Sequence, residues 1–266
     1  MKKIVCLFGA LALTATSCSN DDNSNNVNNV VLPKTIQLTN DKDPVQNMTS
    51  TFTYQGNKIV DISSPKAKSE FTYTGNQITK KVDYYMSKGQ LEKIVETSYV
   101  YANGKLQSVN GISYGTAFRQ VYTYNIDGTI TKEAYTTDQN TGVESKSRES
   151  WLLTIVNGNL TKLVTISGSF IGTHVYDYDA KNTAFKNILG FNLLLDQAIT
   201  PSLGQKNYSS VNNIGKDTQS VVIDSQPFTN TIDYNAKYDY NTNGYPVKQT
   251  SYNQDGTVKE VFDYTY

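Results

Sequence analysis

The chain has 266 residues, with 24 Lys plus Arg against 24 Asp plus Glu and a formal net charge of zero. That is enough chain to bury a sizeable core, and with no basic excess to neutralise phosphates a nucleic-acid partner has no electrostatic support. The 20 Tyr against 9 Phe and 1 Trp point to strands, because a Tyr ring covers an apolar face while its hydroxyl stays wet.

Residues 1–17 read MKKIVCLFGALALTATS. Lys2 and Lys3 form a positive start, and Ile4 to Ala15 is an apolar stretch that suits a secretory leader and is too short to cross a bilayer as a helix. Ala15, Thr16 and Ser17 before Cys18 read as a relaxed lipobox; the plainer alternative is an ordinary signal cleaved near ATS, with Cys18 incidental. Cys6 leaves with the leader, so the mature chain keeps one Cys and cannot close an internal disulfide. Lipidation of Cys18 is therefore the expected modification, with the lipid bilayer as partner, since several acyl chains anchor stably where one is marginal.

Residues 18–33 form the lipidated Cys and a polar, Asn-rich tether that cannot bury enough apolar surface to fold. The stretch SCSNDD resembles the start of surface-exposed lipoproteins of the Bacteroidota, which implies an outer-membrane lipid anchor facing the cell surface, a periplasmic orientation being the other possibility. The domain itself is expected to run from 34 to 266.

That domain is a degenerate repeat. TFTYQGNKI at 51–59 recurs as EFTYTGNQI at 70–78, and looser copies place Tyr99/Tyr101, Tyr122/Tyr124 and Tyr238/Tyr240 before a Gly and then Leu106, Ile130 and Val247. An aromatic at i and i+2 puts both rings on one face of a strand. Asn-Gly and Asp-Gly tolerate the positive φ of a tight turn, and an aliphatic opens the next strand. Each unit is thus one β-hairpin, too weak alone and obliged to pair with its neighbours. The segment 182–205 departs from the pattern: Phe185, Ile188, Leu189 and Leu193 to Leu195 fit one or two short helical turns broken by Gly190 and ended by Pro201 and Gly204, an insertion that covers one end or face of the sheet. Strands resume at 220, with Pro227 marking a bend or an edge.

The Tyr-x-Tyr, Asn/Asp, Gly, aliphatic unit resembles the YD repeat of RHS and teneurin β-shells over most of 51–179 and 236–266. The whole layout, including FKNILGFNLLL and YNTNGYPVKQ, resembles Bacteroidota surface lipoproteins with YD-like hairpins. That group carries no assigned activity, so the resemblance implies no catalytic residue. The chain departs from the YD pattern where Lys105, Thr129, Tyr245 and Thr257 stand in place of an Arg after the Gly, and it is too short for a closed shell around a cargo. The expected fold is all-β: an open or curled antiparallel sheet or meander of repeated hairpins, with one short helical insertion near 183–199.

The residues for chemistry are few. His174 is the one His, and a zinc site of His and Cys has no ligand set. The stretches 125–129, 177–182 and 253–257 offer oxygens to calcium, but turns need the same residues for backbone reasons, and the EF-hand spacing is missing. A Ser–His–acid triad would have to use His174, at a strand start in GTHVYDY, and no nucleophile elbow occurs; His174 reads as an ordinary strand residue. Paired carboxylates for glycoside hydrolysis could come from Asp83, Glu92, Glu96, Glu133, Glu144 and Glu149, with nothing to say which two converge. Exposed Tyr and Trp151 could stack on sugar rings, although most rings are needed for the core. The expectation is no catalytic residue, no metal and no cofactor, with the ligand-binding residues unknown: a membrane-anchored envelope lipoprotein, non-enzymatic, that binds an extracellular glycan or protein or serves a structural role. The alternative is an extracellular polysaccharide hydrolase using converging carboxylates.

Overall fold

A computed structural model describes residues 30–198 and 208–266. The leader, Cys18 and residues 18–29 of the expected tether lie outside the described residues. Residues Val31–Tyr266 form one compact unit. The described strands are β1 (Thr35–Thr39), β2 (Met48–Gln55), β3 (Lys58–Ser63), β4 (Ala67–Thr74), β5 (Gln77–Ser87), β6 (Gln90–Ala102), β7 (Lys105–Ser113) and β8 (Thr116–Tyr124). They continue with β9 (Ile130–Thr137), β10 (Glu144–Val156), β11 (Asn159–Ser167), β12 (Phe170–Asn182), β13 (Asn212–Ile223), β14 (Gln226–Tyr240), β15 (Pro246–Tyr252) and β16 (Val258–Thr265).

Each strand pairs with its sequence neighbour, and β1 pairs antiparallel with β16, Thr35 opposite Thr265, so the sixteen strands close into a barrel. This is more specific than the expected open or curled sheet: the edges meet. The hairpin meander was right, but closure is decided by strand number and twist, neither of which a two-residue pattern reports. Bulges supply much of the curvature. Tyr54 pairs with Ile59 and Thr53 with Asp61, skipping Val60, and the same skip falls at Thr79, Gln107, Thr161, Gly215 and Val247. Each bulge sits just past the turn of a repeat. It turns inward a second residue three positions after the first, as in Ile59 and Ile62 or Leu106 and Val109, all buried.

Closure also sorts the turns. Both ends of the barrel strands at Thr35 and Thr265, and the repeat turns holding Gly56, Gly75, Gly104, Gly128, Gly158 and Gly244, lie at one end, here called proximal. The NQDG turn at 253–256 lies at the opposite, distal end. The two Asn/Asp/Gly turns near the C-terminus therefore belong to opposite rims and are not successive copies of one repeat.

Tyrosines of the repeat, mostly the second of each pair, stitch neighbouring strands together at the proximal end. Tyr124 donates to the Leu106 carbonyl (3.1 Å), Tyr178 to Leu160 (2.8 Å), Tyr238 to Ile214 (3.0 Å) and Tyr266 to Pro246 (2.7 Å). Tyr54 reaches the Pro33 carbonyl at 2.8 Å, which docks the last residues before β1 against the barrel. The accepting carbonyls lie just before the bulged position or at the strand start, where the ladder leaves them available.

A barrel of this strand number has an interior too wide for its wall side chains to fill. The segment 183–198 fills the proximal part. Its only regular element is a 3-10 turn, Phe191–Leu193, opened by Gly190 at φ 81°. A side chain at Gly190 would also press on the Asn76 carbonyl at 3.1 Å. Phe185 packs on Phe52 and Phe191 on Phe71, with ring centroids 6.2 and 6.1 Å apart. The Leu189 N–H donates to the Asn57 carbonyl (3.0 Å), and the Tyr73 hydroxyl to the Leu189 carbonyl (2.9 Å). The insertion was expected to cover an end or face; it is an internal plug, because inward-facing apolar residues on both sides of the lumen need a partner. Ile188, Phe191 and Leu194 are almost fully buried, each burial contributing on the order of 2 kcal/mol. No described helix is long and apolar enough to cross a membrane.

Candidate functional site: the polar layer of the barrel lumen

Above the plug, toward the distal end, inward positions change from apolar to polar. The bulge on β5 turns in Lys81, and the alternation then turns in Asp83. Lys81 and Asp83 pair at 2.9 Å, both nearly inaccessible, and Asp83 also accepts from the Ser69 hydroxyl at 2.6 Å. Lys81 donates to the Ala198 carbonyl at 3.0 Å, at the end of the described plug. Buried charges in such a setting must be paired and hydrogen-bonded, and these are.

A second cluster joins the plug to the wall at β8 and β9. Asp196 takes a charge-assisted bond from Lys132 and a 2.7 Å bond from the Tyr122 hydroxyl. Gln197 donates to the Gln120 carbonyl oxygen (2.7 Å) and to the Tyr122 hydroxyl oxygen (2.6 Å). Burial and the neighbouring carboxylate of Asp196 hold the Tyr122 phenol well above its ordinary pKa, so it stays a donor. The Lys132 ammonium sits 4.4 Å from the Trp151 ring centroid, a cation–π contact. His174 also faces the lumen. Its Nδ1 lies 2.9 and 3.1 Å from the two carboxylate oxygens of the fully buried Asp217, and its ring stacks on Tyr176 at 6.0 Å. The residue read as an ordinary strand position thus has an acid partner 43 positions away. A small 30 Å³ cavity beside the plug is lined by Phe185, Tyr208, Tyr234, Gln249 and Tyr264, room for about one water.

The predicted carboxylates are dispersed. Asp83 is in the lumen. Glu96 is on the outer wall, 2.7 Å from Lys80 and 3.1 Å from Lys93. Glu133 pairs with Lys146 at 2.5 Å, and Glu144 accepts both arms of Arg119, at 2.9 and 2.5 Å. These cations hold Glu96, Glu133 and Glu144 below the usual carboxylate range. Glu92 and Glu149 are exposed on distal stretches of β6 and β10. Glu96 and Glu144 do border the same shallow 380 Å³ groove on the outer wall, floored by Ser98, Gly111 and Ala117.

The oxygen-rich turns use their own carboxylates. Asp127 accepts from the N–H and hydroxyl of Thr129, and Asp255 does the same with Thr257, which holds both below the ordinary range. Asp179 bonds the Lys181 and Asn213 N–H groups and the Tyr240 hydroxyl. Among the described residues no three His, Cys, Asp or Glu side chains gather as a metal site. Of the aromatic residues, Tyr99, Tyr122, Tyr176, Tyr234 and Tyr264 are buried in the core.

Lys132 and Asp196 lie 64 positions apart, so sequence spacing alone could not have joined them. A signal did exist in the inward positions. Lys81, Lys132 and Asp217 stand where other repeats carry Ile62, Val109 and Leu163, and a charge at a core position asks for a partner.

No family model matches the chain, and no curated protein is similar to it in sequence. A solved structure shares its fold. A porin-like protein from Bacteroides vulgatus aligns with a TM-score of 0.58 at 14% identity, over 89% of this chain and 98% of that one. A porin-like protein from Bacteroides uniformis aligns at 0.46 and 10% identity, over 88% and 97%. A DUF3836 protein from Parabacteroides distasonis covers 30% of this chain and 84% of its own, at a TM-score of 0.26 and 15% identity.

Proposed function

We propose that this chain is a lipid-tethered envelope barrel, non-enzymatic, that stands in water at the outer membrane and binds a ligand in the polar distal part of its lumen. The observation that carries the reading is the polarity of the wall. A barrel embedded in lipid has an apolar belt outside and a polar interior. This barrel has Ile36, Phe52, Ile78, Leu153 and Phe262 inside, while its outer wall carries Lys68–Glu70, Lys80–Glu96, Arg119–Glu144 and Lys146–Glu133 pairs. Porin-like neighbours fit an outer-membrane or cell-surface setting, and the lipobox at Cys18 offers attachment without a spanning wall. Pro33 is docked at the proximal end, so the chain enters the barrel at the rim opposite the distal lumen.

Labelling with a clickable fatty acid tests the anchor. Wild type should take up label and fractionate with the outer membrane, and Cys18→Ala should do neither. Equal labelling of the two would sink the attachment.

The second reading, a polysaccharide hydrolase, draws on Glu96 and Glu144 bordering one groove. Glycoside hydrolysis needs one carboxyl kept protonated near neutral pH. Cations beside both glutamates push them the opposite way, which favours the binding reading. Release of reducing sugar from a polysaccharide panel, lost in Glu96→Gln or Glu144→Gln, would reverse that preference.

A further inference from the structure

We propose that the distal lumen wall around Trp151 binds the ring of an uncharged sugar within an extracellular glycan. The proposal rests on the ligand-binding reading above and names the ligand class for that site. Register defines the wall. Tyr122, Lys132, Trp151, Thr165 and Gly172 are successive cross-strand partners on β8 to β12, so they form one inward row around the barrel. Trp151 is flanked on one side by Lys132, whose ammonium lies on its ring. On the other side the wall positions are Thr165 and Gly172, both small. Beyond them the Phe170 ring lies over Gly172, where any Cβ would approach it to 3.1 Å. Two aromatic rings thus share the inward face with Thr165 as the low stretch of wall between them, and a glycine in a strand is what the close approach of Phe170 requires.

The polar groups suit hydroxyls rather than a charged ligand. Lys132 is matched by Asp196 and Lys81 by Asp83, so neither of these lysines is left unpaired to select a carboxylate or phosphate. Gln197 spends its amide nitrogen on Gln120 and Tyr122; the Gln120 nitrogen and the Gln197 oxygen remain as a donor and an acceptor. Trp151, Thr165, Phe170, Gln120 and Gln197 all keep accessible surface although the wall ones point inward, so water reaches this part of the lumen. An aromatic platform with amide donors and acceptors at its edge matches a pyranose, which has an apolar face and a rim of hydroxyls.

Trp151 is the single Trp of the chain, so its emission reports this site alone. The test titrates the purified full-length protein in detergent with a panel of neutral oligosaccharides, sugar acids and nucleosides, following Trp emission and calorimetry. A neutral oligosaccharide should shift the emission saturably and protect it from acrylamide. Trp151→Ala should weaken binding about tenfold or more and Trp151→Phe less. Thr165→Leu, which fills the wall beside the ring without removing it, should also weaken binding while leaving the thermal midpoint near wild type. Binding with unchanged emission and full affinity in Thr165→Leu would overturn this site. A saturable emission change caused only by sugar acids or nucleosides would overturn the ligand class and leave the lumen reading standing. No saturable change with any probe would count against both.

Discussion

Tyr124 donates its phenol hydrogen to the Leu106 carbonyl at 3.1 Å, which ties the second tyrosine of one repeat to the strand start of the repeat before it. Tyr238 and Ile214 repeat the bond at 3.0 Å. Tyr101 holds the same place in its own repeat, yet its hydroxyl is buried with no partner. Tyr124→Phe and Tyr238→Phe should each cost about 1 kcal/mol, a fall of about 2–4 °C in thermal midpoint for a domain this size. Tyr101→Phe should be neutral or stabilising, because it removes an unsatisfied buried group. Differential scanning calorimetry of the three variants checks the contrast, and a Tyr101→Phe loss as large as the others would refute it.

The Lys132–Asp196 pair joins the plug to the wall in a nearly dry layer. Lys132→Met strands the Asp196 charge and should destabilise by about 3–5 kcal/mol. The double variant Lys132→Met with Asp196→Leu removes both charges and should recover most of that loss. Urea unfolding of the two single variants and the double gives the coupling, and equal losses in single and double variants would show that the pair does not act as a unit.

How much of this was legible in the sequence differs by level. Tyr-x-Tyr, Gly and an aliphatic announced strands and turns, because alternation and positive φ are local properties. The bulges are also written there: Ile59 with Ile62, Leu106 with Val109 and Leu160 with Leu163 break period two in the same place each time. Closure was not legible, since Thr35 meets Thr265 only through the summed twist of all the strands between. The plug was seen as an apolar insertion, but its destination depends on the width of a lumen that exists only once the sheet has closed. The site suffered most. Trp151 and His174 were singled out, yet Lys132–Asp196 and His174–Asp217 are pairings of the closed lumen, not of sequence neighbourhood.

Alkaline pH should unfold the barrel from the tyrosines outward. Burial pushes the Tyr73 phenol up to about 12, and desolvation raises Tyr54, Tyr99, Tyr101, Tyr122, Tyr238 and Tyr266 as well. A group whose folded pKa lies above its unfolded value, here about 10, stabilises fully below the unfolded pKa and loses that contribution as pH rises toward the folded one. Stability should therefore hold flat to about pH 9.5 and then fall steeply. The thermal midpoint between pH 8 and 12, followed with phenolate absorbance, checks it. Buried phenols that ionise near pH 10 with no loss of structure would contradict the raised values.

The polarity of the wall makes the last expected outcome the most direct. Outward positions alternate with buried ones and carry many Thr, Lys, Glu and Asp, as in Thr49, Thr51 and Thr53 on β2 or Lys248 opposite Asp263, with Val100, Ile112, Ile166, Ile171 and Val175 exposed among them. Lipid offers such groups no hydrogen bonds, and charged residues on a lipid-facing wall cost about 2–4 kcal/mol each at the midplane. With the acyl anchor gone, the charged pairs spread over this wall oppose its burial in a bilayer. Cys18→Ala should therefore release the protein from membranes, and after removal of its leader it should stay monodisperse in buffer without detergent, as read by sedimentation velocity. If the leaderless protein instead aggregates whenever detergent is withdrawn, while folded in micelles by circular dichroism, the barrel wall seeks lipid after all and the porin-like neighbours share more with it than their fold.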